Sequence, residues 1–358
     1  MKILFTVGGS QAAVFGVAPL AAAARNAGHE ILLAADEPLM AAAQSVGLPA
    51  VCITGRRMRY GQDGTTAADR IDALLEVTRQ WTPDLVVGGL SHVPRVLAAR
   101  LKVPYVRHIW HIAPMARRDR TAVAELQPQL RRLGLTELPE PDLFIDLCPP
   151  PLRPPDAPAA RSMRWVPRVS QRRVEPWMYT RPGGGRRRVL ITAGTRNLVL
   201  DTGSSLRRLV DDLTGAGAEV LIAALPEAAE RHGPELGDVR LGWIPLDVVA
   251  PTCDLAVHHG GATTAMTLIN ADVPQLIVPD NGYGKAVAQA VSGYGAAVLV
   301  DRGRPLPGQD PDDAVVAGCR TVLADPRYAE RSRALAAQAA TLPTPDEVLR
   351  DLEALAAR

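Results

Sequence analysis

Short apolar runs separated by helical stretches occupy the first part of the chain. Residues 3–7 form one such run, a glycine-containing loop follows at 8–10, and a helical pattern passes through 18–26. Further runs, which we also predict to be strands, lie at 31–35, 85–89 and 103–106. Continuously apolar strands separated by helices are typical of βαβ units, in which both faces of a parallel sheet are covered.

This alternation stops at Pro149 and resumes near residue 189. The segment between them begins with the proline-rich run 149–155 and ends with glycines at 183–185. Proline can continue neither a helix nor a central strand, so the segment is typical of a stiff linker. After it we predict strands at residues 189–192, 219–223, 254–257, 275–278 and 297–300.

The pattern therefore predicts an α/β protein with two doubly wound domains. Ligands of such sheets bind at the carboxyl ends of the strands, so we expect a cleft there between the two domains. The predicted divisions are an N-terminal domain at 1–148, a linker at 149–185, a C-terminal domain at 186–344 and an amphipathic helix at 345–358.

The composition is that of a globular protein large enough for two domains. The 358 residues are 47% hydrophobic and carry a formal net charge of +2, which offers no basic surface for nucleic acid. The N-terminal apolar run ends too soon for a signal peptide, and no run reaches membrane-spanning length. The cysteines have no metal-binding or redox spacing: Cys52, Cys148, Cys253 and Cys319. We expect a cytoplasmic protein without metal, membrane or nucleic-acid partners. The sequence leaves open whether it forms a homodimer.

The most specific motif follows the predicted strand 254–257. That strand leads into His258-His259-Gly260-Gly261, and two threonines open the helical pattern that follows. Backbone N–H groups and the positive end of a helix dipole form an anion site at such a turn. Glycines let a ligand approach the backbone, while histidine and threonine side chains add donors. The motif predicts a bound nucleotide diphosphate.

Three segments together resemble the nucleotide-sugar signature of GT-B glycosyltransferases: 242–246, 251–261 and 272–279. More narrowly, the chain is similar to the bacterial natural-product branch of family 1, and within it to enzymes that glycosylate aromatic polyketides. The opening loop, Ala18-Pro19-Leu20 and the segments near 141–146 and 175–177 fit the acceptor domain of the same family. The resemblance extends over nearly the whole chain and implies a GT-B fold, with two Rossmann-like domains facing across a cleft.

The resemblance implies that the C-terminal domain binds a TDP-sugar, which is a substrate, and that no cofactor is needed. His259 and the backbone amides of the following turn would hold the diphosphate. Trp243 would lie against the base, although a tryptophan in such a turn equally often only packs. We expect His258 to point to the opposite face and to be structural. The remaining implied donor contacts are Gly260, Gly261, Thr263, Thr264, Gly194, Thr195, Asp280 and Asn281.

The acceptor half departs from the family pattern. The histidine that usually deprotonates the acceptor corresponds to Ala13, so the base must come from elsewhere or the acceptor must be acidic. We predict His111 as the base, with Asp119 as the second candidate, because the loop after residue 106 should open onto the cleft. An exposed histidine without a catalytic role is the competing interpretation of His111. The expected acceptor contacts are Ser10, His92 and Trp110.

A second departure follows Pro279. Where the family often has an Asp-Gln pair that binds sugar hydroxyls, this chain has Tyr283 and Gly284. Loss of hydroxyl-binding groups suits a deoxysugar, because unpaired polar groups in a closed pocket are costly. Asp280 and Asn281 remain as sugar contacts.

These observations predict an inverting glycosyltransferase of antibiotic biosynthesis. It would move a deoxysugar from a TDP-sugar to an aromatic polyketide-type acceptor, through oxygen or carbon. The alternative is a catalytically silent homologue that binds nucleotide and assists a partner enzyme, since Ala13 replaces the usual base. A nicotinamide dehydrogenase does not fit, because residues 8–13 lack the glycine spacing of a dinucleotide site. An epimerase would have no use for the acceptor domain.

Overall fold

The structure is a computed structural model that describes residues 1–54, 66–110, 112, 116–170, 173–192, 203–236, 239–303 and 310–358, without the side chains of 116–118, 203–204 and 235. Contacts within the chain divide it into two compact units. Unit 1 comprises Met1–Cys148, Pro154–Ser170 and Leu342–Arg358, and unit 2 comprises Pro149–Arg153 and Gln171–Thr341.

The described residues of unit 1 form a parallel sheet with the strand order β3-β2-β1-β4-β5-β6-β7. Its strands are β1 (Lys2–Thr6), β2 (Glu30–Asp36), β3 (Ala50–Thr54), β4 (Leu85–Gly88), β5 (Tyr105–Ile109), β6 (Leu143–Asp146) and β7 (Arg161–Ser162). Its helices up to β6 are α1 (Gln11–Asn26), α2 (Glu37–Ser45), α3 (Ala67–Gln80), α4 (Val93–Leu101), α5 (Ala116–Glu125) and α6 (Gln127–Arg132).

The central strands of unit 1 are apolar because helices cover both faces of the sheet. Residues 3–6 of β1 are buried, and β1 pairs in parallel with β2 (Lys2↔Glu30) and β4 (Ile3↔Leu85). The strand order changes direction between β1 and β4. Loops that leave the carboxyl ends of two such strands run to opposite sides, which opens a crevice at the switch point.

The described part of unit 2 repeats this architecture with the strand order β10-β9-β8-β11-β12-β13. Its strands are β8 (Arg188–Thr192), β9 (Glu219–Ala223), β10 (Arg240–Gly242), β11 (Leu255–His258), β12 (Gln275–Ile277) and β13 (Ala297–Leu299). Its helices are α7 (Pro176–Tyr179), α8 (Gly203–Gly215), α9 (Pro226–Leu236), α10 (Leu246–Val249), α11 (Ala262–Asn270), α12 (Gly282–Tyr294), α13 (Pro311–Ala324) and α14 (Pro326–Ala340).

Neighbouring residues of β8 belong to different hydrophobic clusters of unit 2. Val189 and Ile191 pack in a cluster that includes Leu209. Leu190 belongs to a separate cluster that includes Leu268. Side chains alternate along a strand, so these two clusters are what a sheet with helices on both faces requires.

The chain returns to unit 1 in α15 (Pro345–Ala356), which packs against α1. Thr344 caps α15 by accepting a hydrogen bond from the N–H of Glu347. His29 Nε2 lies 2.8 Å from Glu353 Oε1 on this helix. Within unit 1, β7 also adds a strand from the segment that the sequence assigns to the linker. Where the functional domains divide stays a prediction.

The structure confirms the α/β class and the parallel sheets that the alternation predicts. The predicted strands occur within three residues of their expected bounds, and α1 begins at Gln11, directly after the first loop. The pattern does not predict β3, β6, β7 and β10. Three of these are edge strands and β6 lies beside one, and β7 and β10 are only two and three residues long. No helix in the described ranges is long and apolar enough to cross a membrane.

A buried arginine connects the segment before β8 to the sheet of unit 2. Arg188 is 1% exposed, and its Nε donates to Glu219 Oε2 at 2.7 Å. Its Nη1 donates to the carbonyl of Thr180 at 2.8 Å and to Thr252 Oγ1 at 2.6 Å. A buried charge that is removed from such a network leaves its partners without a hydrogen bond.

We expect Arg188→Ala to lower the free energy of unfolding by about 3–5 kcal/mol, because Glu219 and the carbonyl of Thr180 lose their donor. The measurement is urea unfolding of the purified protein. The control is Arg207→Ala, which removes an exposed ion pair with Asp211 on α8 and should change stability little. Equal effects of the two changes would contradict a special role for Arg188.

Candidate active site

The histidine-glycine turn lies at the carboxyl end of a central strand of unit 2. β11 is buried and lies between β8 and β12, with Val257 opposite Ile191 and Leu276. The chain turns after His258 and enters α11 at Ala262. Gly260 has a φ of +84°, a backbone conformation that other residues rarely adopt.

His258 is a structural residue, as the sequence suggests. Its ring is fully buried, and its Nδ1 accepts a hydrogen bond from the N–H of Gly260 at 3.1 Å. Nε2 must therefore carry the ring hydrogen, which it donates to Gln275 Oε1 at 2.9 Å. Burial lowers the pKa of His258 to about 3, and the neighbouring His259 contributes to the shift. The neutral ring keeps the turn in place.

The ring of His259 lies directly beside the backbone of Gly261. A Cβ atom at Gly261 would lie 2.6 Å from His259 Nε2, so only glycine leaves room for this ring position. His259 is buried, with 8% of its surface exposed. The histidine, the glycines and the start of α11 are therefore contiguous, as the predicted diphosphate site requires.

The first turn of α11 is open to an anion, whereas that of α12 is capped. Gly261 at the start of α11 provides no side-chain cap, and the first helical bond runs from Ala265 N–H to Gly261 O at 2.9 Å. At α12, Asn281 Oδ1 accepts from Gly284 N–H at 2.9 Å. The amides of residues 262–264 precede the first helical bond of α11, and such amides bind anions. The hydroxyl-bearing residues of this turn are Thr263, which is half-buried, and Thr264, which is buried.

Two glycines bring the starts of α11 and α12 into backbone contact. A Cβ atom at Gly260 would lie 2.6 Å from Gly284 O, and one at Gly284 would lie 2.6 Å from His259 O. Neither position can carry a side chain unless a loop moves. Gly284 is also one of the two positions at which the resemblance places hydroxyl-binding side chains.

The two predicted sugar contacts have local roles at the start of α12. Asn281 accepts the capping bond described above, and its Nδ2 donates to Asp280 Oδ1. Lys285, in the next turn, forms an ion pair with Asp301 at 2.6 Å. Contact of Asp280 and Asn281 with a sugar stays a prediction.

Trp243 follows the edge strand β10 and is half-buried. The N–H of Ala224 donates to Gly242 O at 2.8 Å, which joins the ends of β9 and β10. Leu225, next in the chain, is 41% exposed. Leu225 was not among the residues predicted from the sequence, although an apolar residue two positions beyond a buried strand is a usable signal. Leu225 thus follows the end of β9, and Trp243 follows the end of β10, which this hydrogen bond joins to it. The exposed leucine offers apolar surface for a nucleobase.

The first loop of unit 1 contains no general base. Ser10 is exposed and precedes α1, but its side chain does not cap the helix. Ala13 lies in the first turn of α1, and residues 8–17 contain no acidic or basic side chain and no histidine.

His92, Arg107 and Asp119 meet at the carboxyl ends of β4 and β5. The carboxylate of Asp119 accepts from Arg107 Nη1 at 2.7 Å and Nη2 at 2.8 Å, and its Oδ1 lies 3.2 Å from His92 Nε2. Burial favours the neutral carboxyl, but the hydrogen bonds from His92 and Arg107 and the charge of Arg107 more than offset it. The pKa of Asp119 is held well below its usual range. A carboxylate held in this way is a weak proton acceptor.

The other predicted acceptor residues have different surroundings. Trp110 directly follows β5 and is buried, with 7% of its surface exposed, and its contact with an acceptor stays a prediction. Leu90, which the sequence analysis does not identify, is 40% exposed at the end of β4. His111, Gly194 and Thr195 lie outside the described residues, and their roles stay predictions.

The described residues hold no group of three or more histidine, cysteine or acidic side chains that could bind a metal ion. The turn after β11 offers hydrogen-bond donors to a diphosphate.

The two parallel α/β units and the turn at α11 define the class of GT-B glycosyltransferases. SsfS6, a glycosyltransferase of Streptomyces sp. SF2575, has a similar solved structure, with a TM-score of 0.80, 30% identity and 99% coverage of both chains. Its complex with thymidine diphosphate gives a TM-score of 0.83 at the same identity and coverage. Spinosyn rhamnosyltransferase SpnG with spinosyn aglycone gives 0.84 at 28% identity, over 99% of this chain and 100% of SpnG.

The chain belongs to the erythromycin biosynthesis protein CIII-like family, whose N-terminal domain matches residues 55–194 and whose C-terminal domain matches residues 207–355. The L-demethylnoviosyl transferase of Streptomyces niveus is 32% identical over 99% of this chain and 98% of its own length. The elloramycin glycosyltransferase ElmGT of Streptomyces olivaceus is 32% identical over 77% of this chain and 70% of its own. The protein is therefore a glycosyltransferase.

We expect Gly284→Gln to weaken the binding of thymidine diphosphate by tenfold or more, roughly 1.4 kcal/mol or above. The new Cβ atom would clash with His259 O and displace the turn. The shift in melting temperature with added nucleotide measures the effect. The control is Gly282→Ala in the same turn, where no atom lies within 4 Å of an added Cβ. Unchanged affinity in Gly284→Gln would contradict the role of this contact.

We expect stability to fall as the pH is lowered from about 6.5 to about 4. Burial lowers the pKa of His258 to about 3 and that of His108 to about 4. Below its ordinary pKa, each histidine takes up a proton in the unfolded chain but not in the folded one. Each therefore costs roughly 1.4 kcal/mol per pH unit in that window. Urea unfolding at about pH 7, 6 and 5 measures this slope, and a flat profile would contradict the neutral state of both rings.

Proposed function

We propose that the protein transfers a deoxysugar from a TDP-sugar to an aromatic polyketide-type acceptor in antibiotic biosynthesis, with inversion at the anomeric carbon. The proposed binding of the TDP-sugar rests on one observation: the first turn of α11 has no side-chain cap and lies beside His259 and two closely packed glycines. The solved complex of SsfS6 with thymidine diphosphate supports the choice of nucleotide.

The named activities of further relatives support a deoxysugar. The aclacinomycin-T 2-deoxy-L-fucose transferase of Streptomyces galilaeus is 26% identical over the whole of this chain. The TDP-daunosamine transferase DnrS of Streptomyces peucetius is 28% identical over the same extent. The contact between Gly260 and Gly284 agrees with this choice, because it removes a side chain from a position that would otherwise bind a sugar hydroxyl.

The donor site would act on the leaving group. Negative charge builds up on the diphosphate as the bond from its oxygen to the anomeric carbon breaks, and fixed donors around it lower the barrier. The donor contacts in this proposal are Trp243, His259, Gly260, Gly261, Thr263, Thr264, Gly194, Thr195, Asp280 and Asn281.

The acceptor in this proposal is an electron-rich phenol. A phenol is more acidic than an alcohol and needs less help in losing its proton, which agrees with the alanine at position 13. The exposed Leu90 at the end of β4 suits contact with an aromatic ring. Such a ring can attack through oxygen or through carbon, so the product's linkage is to be measured by NMR rather than assumed.

We expect His259→Ala to reduce product formation by roughly 10²–10³-fold and to weaken thymidine diphosphate binding, because it removes a donor at the leaving group. Transfer is measured with a panel of TDP- and UDP-sugars and phenolic polyketide acceptors. The control is Ser292→Ala near the end of α12, where the hydroxyl only bonds the carbonyl of Gln289. Wild-type rates in His259→Ala would contradict the donor site.

The same assay separates transfer from nucleotide binding alone. A wild-type protein that binds thymidine diphosphate but forms no product with any donor and acceptor pair would favour the helper-protein alternative. The relatives described above are named as transferases, so product formation is the expected outcome.

A further inference from the structure

The ring hydrogen of His92 is fixed by its neighbours. Asp119 lies in a bidentate ion pair with Arg107, whose guanidinium is always charged, so the carboxylate is ionised and can only accept hydrogen bonds. The contact of His92 Nε2 with Asp119 Oδ1 at 3.2 Å therefore requires the hydrogen to lie on Nε2. In the neutral ring, the lone pair is then on Nδ1.

Among the described residues, the lone pair of His92 Nδ1 accepts no hydrogen bond. His92 is 3% exposed, and its Nδ1 is buried without a hydrogen-bond partner among the described residues. A buried acceptor without a donor is costly, and native structures retain few of them. A molecule bound at the end of β4 would satisfy this nitrogen by donating a hydrogen bond from an O–H or N–H group.

A second histidine-carboxylate pair in unit 1, His29 with Glu353, differs from the pair of His92 with Asp119. His29 Nε2 lies 2.8 Å from Glu353 Oε1, and its Nδ1 lies 3.4 Å from the N-terminal amine of Met1. Both ring nitrogens of His29 are thus engaged, at the start of β2. His92 instead has one nitrogen engaged and one available, at the carboxyl end of β4 where Leu90 is exposed.

We propose that His92 is the general base of the transfer and that Asp119 and Arg107 position it. This inference rests on the proposed function. His92 Nδ1 takes the proton of the acceptor's phenolic O–H while the acceptor forms its bond to the anomeric carbon. The bond from that carbon to the diphosphate oxygen breaks, and its electron pair leaves with TDP. The imidazolium that forms donates from Nε2 to Asp119.

The proposal gives Asp119 a different role from the one expected from the sequence. It does not take the proton itself, because Arg107 holds it as an anion of low basicity. It instead selects the tautomer of His92 and stabilises the charged ring, as the third member of a nucleophile–base–carboxylate triad does. Arg107 fixes the carboxylate through two parallel hydrogen bonds.

The kinetic test compares two acceptors that differ in acidity. With an ordinary phenol, we expect His92→Ala and His92→Gln to lower kcat by roughly 10²–10⁴-fold, while the KM for the TDP-sugar is unchanged. With an analogue acidified by an electron-withdrawing group, the loss should fall to roughly tenfold or less, since little base assistance is needed. Asp119→Asn should show the same dependence to a smaller degree. The control His29→Ala should keep the kcat of the wild type.

Three kinetic outcomes are distinguishable. Wild-type kcat in both folded His92 variants overturns the inference and leaves the proposed function intact, and a matching loss in His111→Ala would then assign the base to His111. An equal loss with both phenols indicates a structural role and also overturns it. Absence of product from the wild-type protein is instead a failure of the proposed function.

A spectroscopic test does not depend on turnover. In ¹⁵N-labelled full-length protein, the His92 ring should carry its hydrogen on Nε2, and added phenolic acceptor should shift the Nδ1 resonance. Asp119→Asn should change the tautomer balance of His92, whereas Glu353→Asn should leave it unchanged. A ring with hydrogen on Nδ1 in the wild-type protein would overturn the inference.

Discussion

Two parallel sheets covered on both faces impose the constraint on which the rest of this protein depends. Their central strands are apolar along most of their length, so the polar groups of the candidate site gather at or near the points where strands end. In unit 2 that point is the end of β11, where a neutral buried histidine supports a glycine turn. In unit 1 it is the ends of β4 and β5, where His92, Arg107 and Asp119 meet.

The two ends solve different electrostatic problems. The proposed donor end must bind a dianion, and for this it offers partial positive charges that need no counterion: backbone amides of α11 and the hydroxyls beside them. The acceptor end, in our proposal, holds a histidine base below the protein surface. There, Arg107 and Asp119 cancel each other's charge, and the pair still directs the ring hydrogen of His92. Histidines serve both ends, His258 as a support and His92 as the proposed proton acceptor.

The sequence predicted the strand, turn and helix around His258-His259-Gly260-Gly261 well because these parts are contiguous. A strand, two histidines, two glycines and a helix start follow one another within ten residues, so local patterns reveal them. The acceptor end could not be predicted in this way. His92 and Asp119 lie 27 residues apart, and Arg107 is inside a strand where a charged residue gives no sign of its partner. Among the edge strands, β13 was predicted, whereas β7 and β10 were not, since they are only two and three residues long and give too short a pattern.

The sequence by itself determined the class of the fold, most of its central strands and the glycine turn between β11 and α11, because periodicity and local motifs depend only on neighbouring residues. Only the tertiary structure decided the consequences of contacts between distant segments. It showed that Gly260 and Gly284 exclude side chains from each other's positions, and that Asp119 is held by Arg107 as an anion that sets the tautomer of His92. Both effects act over a few ångströms between residues far apart in the chain, which no local pattern records.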